Sequence, residues 1–144
     1  MSEVNWDRTY YDNGELQHET PYVNGQKHGV QKYYYEDGQL QVEAPFVNGQ
    51  EHGIEKWYLN GRLYQETSFT DGQRHGVEKL YYMDGRLKAE IPYVKDRSIH
   101  GVERSYYNNG QLKAEILWVN GSQRCDLLLP EHRLERLMLL GGQG

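Results

Sequence analysis

Apolar and polar positions alternate with period two along most of this chain, in runs of six to nine residues separated by glycine turns. Val30-Gln31-Lys32-Tyr33-Tyr34 and Leu40-Gln41-Val42-Glu43-Ala44-Pro45-Phe46 are one such pair of runs. Alternation of this kind, carried by Tyr, Val, Phe, Leu and Ile, predicts half-buried strands. The breaks are Asp37-Gly38, Asn60-Gly61, Asp84-Gly85 and Asn109-Gly110, and a second set at Asn24-Gly25, Asn48-Gly49, Asp71-Gly72 and Asn120-Gly121. Asn-Gly and Asp-Gly between β-formers signal hairpins, because glycine accepts a positive φ at little cost. Pro21, Pro45 and Pro92 each precede an aromatic residue, so each is expected at a bulge or an unpaired position near a strand end.

The pattern repeats. Gly14, Gly38, Gly61, Gly85 and Gly110 mark the first turn, about 24 residues apart. A fixed period of this length means stacked supersecondary units. The expected fold is all-β: an elongated antiparallel sheet of about five hairpins over residues 10–121, after a lead-in at 1–9. In the third repeat one residue is missing from the first turn. If Leu59 belongs to the strand, Asn60-Gly61 is a two-residue loop and Tyr58 faces Leu63, as Tyr34 faces Leu40. Residues 122–144 break the pattern. Pro130 suits a first helical turn, and Leu134, Leu137 and Met138 share a face before Gly141-Gly142, which predicts a short helix capping the last strand.

Pairing Tyr34 with Leu40 and alternating strictly from there sorts the side chains. Val30, Lys32, Tyr34, Leu40, Val42, Ala44 and Phe46 share a mostly apolar face, while Gln31, Tyr33, Tyr35, Gln39, Gln41 and Glu43 share a mixed one. The row Lys32, Lys56, Lys79, Arg104 breaks the apolar face, and its stems are expected to lie along aromatic rings with the charges in water.

Composition narrows the function. A net charge of −5 argues against a nucleic-acid binder. Cys125 is alone, which suits a reducing compartment. The first residues lack the charged and apolar segments of a signal peptide, and no run is long and apolar enough to span a bilayer, so a cytoplasmic location is expected. His28, His52, His75 and His100 each precede glycine. Equivalent positions two strands apart lie roughly 9–10 Å from one another, too far to share a metal ion, so these histidines are expected to build turns. The row Glu19, Glu43, Glu66, Glu90, Glu115 has Lys, Arg and Tyr neighbours and is expected to be structural. No nucleophile elbow, phosphate loop or catalytic pairing is present, so neither an enzyme nor a cofactor is expected.

The recurring Tyr-Tyr-x-x-Gly-x-Leu-x-x-Glu, followed by an aromatic, Asn-Gly and His-Gly-Val, resembles the MORN repeat in its bacterial variant form over roughly residues 10–121. Lys95-Asp96-Arg97-Ser98-Ile99 departs from it by replacing the Asn-Gly turn. The resemblance implies joined hairpins in one elongated, twisted sheet. It also implies a protein-binding role like that of repeat antitoxins and immunity proteins, which neutralise a toxin or effector. A scaffold or self-assembling module is the alternative, with a homodimer through the C-terminal helix or a sheet edge, and a peripheral lipid-binding module is a further one. The aromatic and arginine residues Tyr11, Tyr33, Tyr35, Trp57, Arg62, Tyr82, Arg86 and Tyr107 are the candidate protein-binding positions, because Tyr, Trp and Arg dominate binding hot spots.

Overall fold

The computed structural model describes residues 2–95 and 98–123, and every regular element among them is a β-strand. The helix expected near residues 130–140 lies outside the described residues. Two compact units, Met1–Arg74 and His75–Gly144, divide the chain.

In the first unit, β1 (Asn5–Tyr10), β2 (Leu16–Val23), the two-residue β3 (Gln26–Lys27), β4 (Gly29–Tyr34), β5 (Leu40–Val47), the two-residue β6 (Gln50–Glu51), β7 (Gly53–Leu59), β8 (Arg62–Thr70) and the two-residue β9 (Gln73–Arg74) follow in order. The long strands pair as neighbours, β1-β2-β4-β5-β7-β8, all antiparallel, and β3, β6 and β9 pair with β2, β5 and β8. The second unit repeats this plan with β10 (Gly76–Tyr81), β11 (Leu87–Val94), β12 (Ser98–Ile99), β13 (Gly101–Tyr106), β14 (Leu112–Val119) and β15 (Ser122–Gln123). There β11 pairs with β10, β12 and β13, and β14 pairs with β13 and β15.

The first turn of a repeat has the expected chemistry. Gly38 N–H donates to the Tyr35 carbonyl at 2.9 Å, Tyr35 N–H donates to the Gln39 carbonyl at 2.8 Å, and Asp37 Oδ1 accepts from Gln39 N–H at 3.0 Å. That is a three-residue loop with glycine in the left-handed region. In the third repeat Leu59 pairs with Arg62 and Tyr58 with Leu63, so the missing residue is absorbed in the Asn60-Gly61 loop, as the spacing predicts.

The strict alternation does not survive. Each long hairpin carries a bulge just inside its first turn. Tyr34 faces Leu40, but Tyr33 faces Val42 and Lys32 faces Glu43, leaving Gln41 without an opposite residue. The equivalent extra residues are Gln17, Tyr64, Lys88 and Lys113. One extra residue moves everything beyond it to the other face. Val42, Ala44 and Phe46 therefore share a side with Gln31 and Tyr33, not with Val30, Lys32 and Tyr34.

This correction also accounts for the lysine row. Arg8 faces Glu19, Glu19 faces Lys32, Lys32 faces Glu43, Glu43 faces Lys56 and Lys56 faces Glu66. Lys79, Glu90, Arg104 and Glu115 continue the scheme within the second unit. Opposite charges thus stand directly across from one another on what we call the ladder face, an arrangement that stabilises antiparallel pairs. Arg8 Nε lies 3.1 Å from Glu19 Oε2, and Arg104 Nε lies 3.0 Å from Glu115 Oε2. Glu115 is fully buried, so the Arg104 pair offsets a desolvation cost that a lone carboxylate would incur there. The Tyr58 hydroxyl donates to Glu43 at 2.8 Å and that of Tyr106 to Glu90 at 2.9 Å. Burial, then the bond to Glu43, pushes the Tyr58 phenol up to about 12.

A second irregularity joins one repeat to the next. His28, between β3 and β4, donates its N–H to the Pro21 carbonyl at 3.0 Å, and its ring Nδ1 accepts the Asn48 N–H of the next repeat at 3.3 Å. His52, His75 and His100 hold Asp71, Lys95 and Asn120 in the same way. The histidines build turns, as expected. Their following glycines have φ between 112° and 123°, and a Cβ at Gly53 would stand 2.8 Å from Pro45 Cγ.

Gly53→Ala meets both strained backbone and the Pro45 ring, whereas Gly25→Ala, at φ 78°, meets open space. Gly25→Ala is expected to cost about 1–2 kcal/mol from backbone strain alone, and Gly53→Ala clearly more. Urea denaturation of both variants checks this, and equal losses would mean that the Pro45 contact carries no weight.

Candidate functional site

The face opposite the ladder is built from smaller and less regular side chains. Thr20, Gln31, Val42, Ala44 and Thr67 on this side of the first unit are buried. The Gln31 amide donates to Thr20 Oγ1 at 2.8 Å and lies 3.1 Å from His18 Nε2, and the His18 ring packs against Tyr33 with centroids 4.6 Å apart. Small side chains in the middle of strands flanked by aromatic rings leave a hollow. Here it is a cavity of about 380 Å³ lined by Gln31, Tyr33, Gln41, Val42, Ala44, Phe46, Glu51, Glu55 and Trp57. We call this side the hollow face.

The bulge sets its walls. Tyr33 and Trp57 face Val42 from either side, so the two rings flank one small residue. Glu55 stands two residues before Trp57 and accepts the indole N–H at 2.6 Å. Phe46 pairs with Glu51 of the short strand β6. Lys27 lies with its ammonium 4.9 Å from the Phe46 ring centroid.

Two carboxyl groups therefore meet at one end of a partly apolar cavity. Glu51 Oε1 is buried without a hydrogen-bond partner. A hydrogen bond between the Glu51 and Glu55 carboxyls requires a proton on one of them. Burial first, then this bond and the neighbouring charge, push Glu51 up to about 8, and the Lys27 charge offsets only part of the effect.

The eight residues singled out in the sequence fall into separate places. Tyr33 and Trp57 line the cavity. Tyr11, Tyr35, Tyr82 and Tyr107 stand at first turns, not beside them. The Tyr11, Tyr35 and Tyr82 hydroxyls donate to the Tyr34, Tyr58 and Tyr106 carbonyls at 2.6–2.8 Å, each clasping the following repeat. The Tyr107 ring lies 5.8 Å from the Lys113 ammonium and is half exposed. Arg86 donates to the Asn108 carbonyl at 2.7 Å, and Arg62 is exposed beside its turn. Of these positions the cavity brings together Tyr33 and Trp57, while Tyr11, Tyr35, Arg62, Tyr82, Arg86 and Tyr107 stand at turns.

Sequence reasoning missed Gln31, Phe46, Glu51 and Glu55 as parts of one site. One signal was available. The residue after the glutamine that follows the second turn is basic at Lys27 and Arg74 but acidic at Glu51.

Stacked β-hairpins tied through their turns define a β-hairpin repeat protein. The model of the MORN repeat variant matches residues 8–24, 27–48, 74–95 and 99–120, and the chain belongs to that family. MORN repeats are modules that bind proteins or membranes. No curated protein matches the chain. A crystal structure of a point mutant of S. aureus TarM in complex with fondaparinux, alpha-GlcNAc-glycerol and UDP is similar at 14% identity and a TM-score of 0.48, over 66% of this chain and 19% of that one. A second crystal structure of TarM is similar at 15% identity and a TM-score of 0.47, with the same coverage. The chain spans about a fifth of the length of these structures. Among the described residues no helix is long and apolar enough to cross a membrane.

The Glu51 carboxyl has a measurable signature. An unfolded chain releases this proton near the ordinary 4.5, whereas the folded chain keeps it to about 8. The folded state thus binds more protons in between, and stability from this group falls as pH rises from 4.5 to about 8. Glu51→Gln removes that slope. Its melting temperature is expected to match the parent below pH 4.5 and to exceed it increasingly up to pH 8. Parallel pH profiles would show that Glu51 titrates normally.

Proposed function

We propose that this chain is a protein-binding repeat module that neutralises a toxin or effector by covering its active surface, without catalysing a reaction itself. The observation that carries the reading is the hollow face of the first unit. Tyr33 and Trp57 flank Val42 in direct register above a cavity with two carboxyl groups at its end. Aromatic side chains around a small residue present large, rigid area at low entropic cost, which is the composition of a binding hot spot. The net charge of −5 supports steering toward a basic partner surface. The ladder face is less suited, because its charges already oppose one another in register.

The segment that the family model leaves unmatched, residues 49–73, holds Glu51, Glu55 and Trp57. It also carries the shortened turn at Asn60-Gly61, and Ser68 where the first, second and fourth repeats have proline. Departure from the repeat at the residues that line the cavity supports a partner particular to this chain.

The test has two stages. The tagged chain is used to purify its partner from the native host, and binding and inhibition are then measured with purified components. Tyr33→Ala with Trp57→Ala is expected to lower affinity roughly thirtyfold or more, since loss of one hot-spot residue costs about 2 kcal/mol. Arg86→Ala, at a turn of the second unit, is expected to leave binding within about twofold. A folded double variant with full affinity would remove the hollow face from the interface. A partner bound without loss of its activity would replace neutralisation with scaffolding.

A further inference from the structure

The cavity on the hollow face combines three features that need not occur together. Its walls are aromatic, from Tyr33, Phe46 and Trp57. Its end carries two carboxyl groups, one with a buried oxygen that has no partner. Its volume, about 380 Å³, holds one long side chain and not a folded element. A neutral apolar guest would leave the Glu51 oxygen unpaired, and an anionic guest would meet two acids. A cation on a thin apolar stem satisfies all three features, because aromatic faces attract cations and carboxylates pair with them.

We propose that this cavity receives a single arginine side chain of a protein partner, its guanidinium stacked between the Tyr33 and Trp57 rings and hydrogen-bonded to the Glu51 and Glu55 carboxyls. The assignment names the chemistry recognised by the interface proposed above, and so rests on that reading. Arginine fits better than lysine. Its planar fork presents several donors to two acids at once and stacks on aromatic rings, whereas an ammonium is a compact charge that holds its water tightly. Glu55 already accepts the Trp57 indole N–H with Oε1, which fixes the carboxyl relative to the ring that the guanidinium would cover. The Lys27 charge acts on Glu51, but its ammonium lies over Phe46.

A bound guanidinium favours the charged form of Glu51, so binding should release a proton. The charged and titratable groups around it are Glu55 on β7, Lys27 on β3 and Tyr33 on β4. Affinity should therefore rise with pH by up to about tenfold per unit between about 6 and 8, then level off.

The experiment uses the intact chain and three small probes: N-acetyl-arginine amide, Nα-acetyl-lysine amide and N-acetyl-norleucine amide. Binding is followed by the indole N–H resonance of Trp57 during titration at pH 8. The arginine probe is expected to shift it saturably, the lysine probe more weakly and the norleucine probe not at all. Glu51→Gln should weaken the arginine probe about tenfold or more and abolish the rise with pH. Because Glu51→Gln keeps the shape of the side chain and removes a destabilising proton equilibrium, it should fold at least as well as the parent. Equal binding of norleucine would overturn the proposal, as would tighter binding of lysine or no saturable shift by arginine at pH 8. A chain that binds the arginine probe yet retains no protein partner would lose the proposed function and keep this cavity assignment. A chain that neutralises a partner yet treats all three probes alike would do the reverse.

Discussion

One extra residue per hairpin governs the rest of this structure. A strand shows alternate faces with period two, so a single unpaired residue exchanges the faces of everything beyond it. In this chain the extra residue falls just inside the first turn, at Gln17, Gln41, Tyr64, Lys88 and Lys113. Its position brings Lys32 opposite Glu43 and Tyr33 opposite Val42. Without it, Lys32 would face Val42, and Gln31 would face Glu43. The bulge thus replaces a mostly apolar face and a mixed one with a ladder of opposed charges and a side of small and aromatic residues.

That sorting matters because the hydrophobic core is sparse. Among the described residues the buried apolar side chains are Val42, Ala44 and Ala89. Stability must therefore come from backbone hydrogen bonds, cross-strand pairs and the contacts that tie one repeat to the next. The histidine turns and the tyrosine clasps serve the last purpose, since each reaches one repeat forward. Polar satisfaction takes the role that packed aliphatics play in a layered domain. An exception stands out against this background. Among the described residues, Glu51 Oε1 is the buried side-chain oxygen that lacks a partner.

The hairpins, their turns, the absorbed deletion in the third repeat and the roles of the histidine and glutamate rows were all legible in the sequence. Turn chemistry is local, and Asn-Gly or Asp-Gly between β-formers specifies it. The faces were not legible from alternation, because a bulge leaves no mark within a single strand. Its trace lies between strands: with the bulge, a basic residue opposes an acidic one in every long hairpin, from Arg8 and Glu19 to Arg104 and Glu115. Half of the candidate site was hidden for the same reason. Tyr33 and Trp57 were recognisable as aromatic candidates, but their neighbours Val42, Ala44 and Phe46 belonged by strict alternation to the other side. Glu51 escaped notice because it sits in a two-residue strand that only the folded chain brings against Phe46.

The register of the second hairpin bears most directly on this account, because the ladder, the hollow face and the placing of Tyr33 beside Trp57 all follow from it. Cross-strand backbone NOEs in isotope-labelled protein measure it. The account predicts contacts between Tyr33 and Val42 and between Lys32 and Glu43, with Gln41 lacking an opposite residue. Contacts between Tyr33 and Gln41 and between Lys32 and Val42 would contradict it, since they would return both faces to strict alternation.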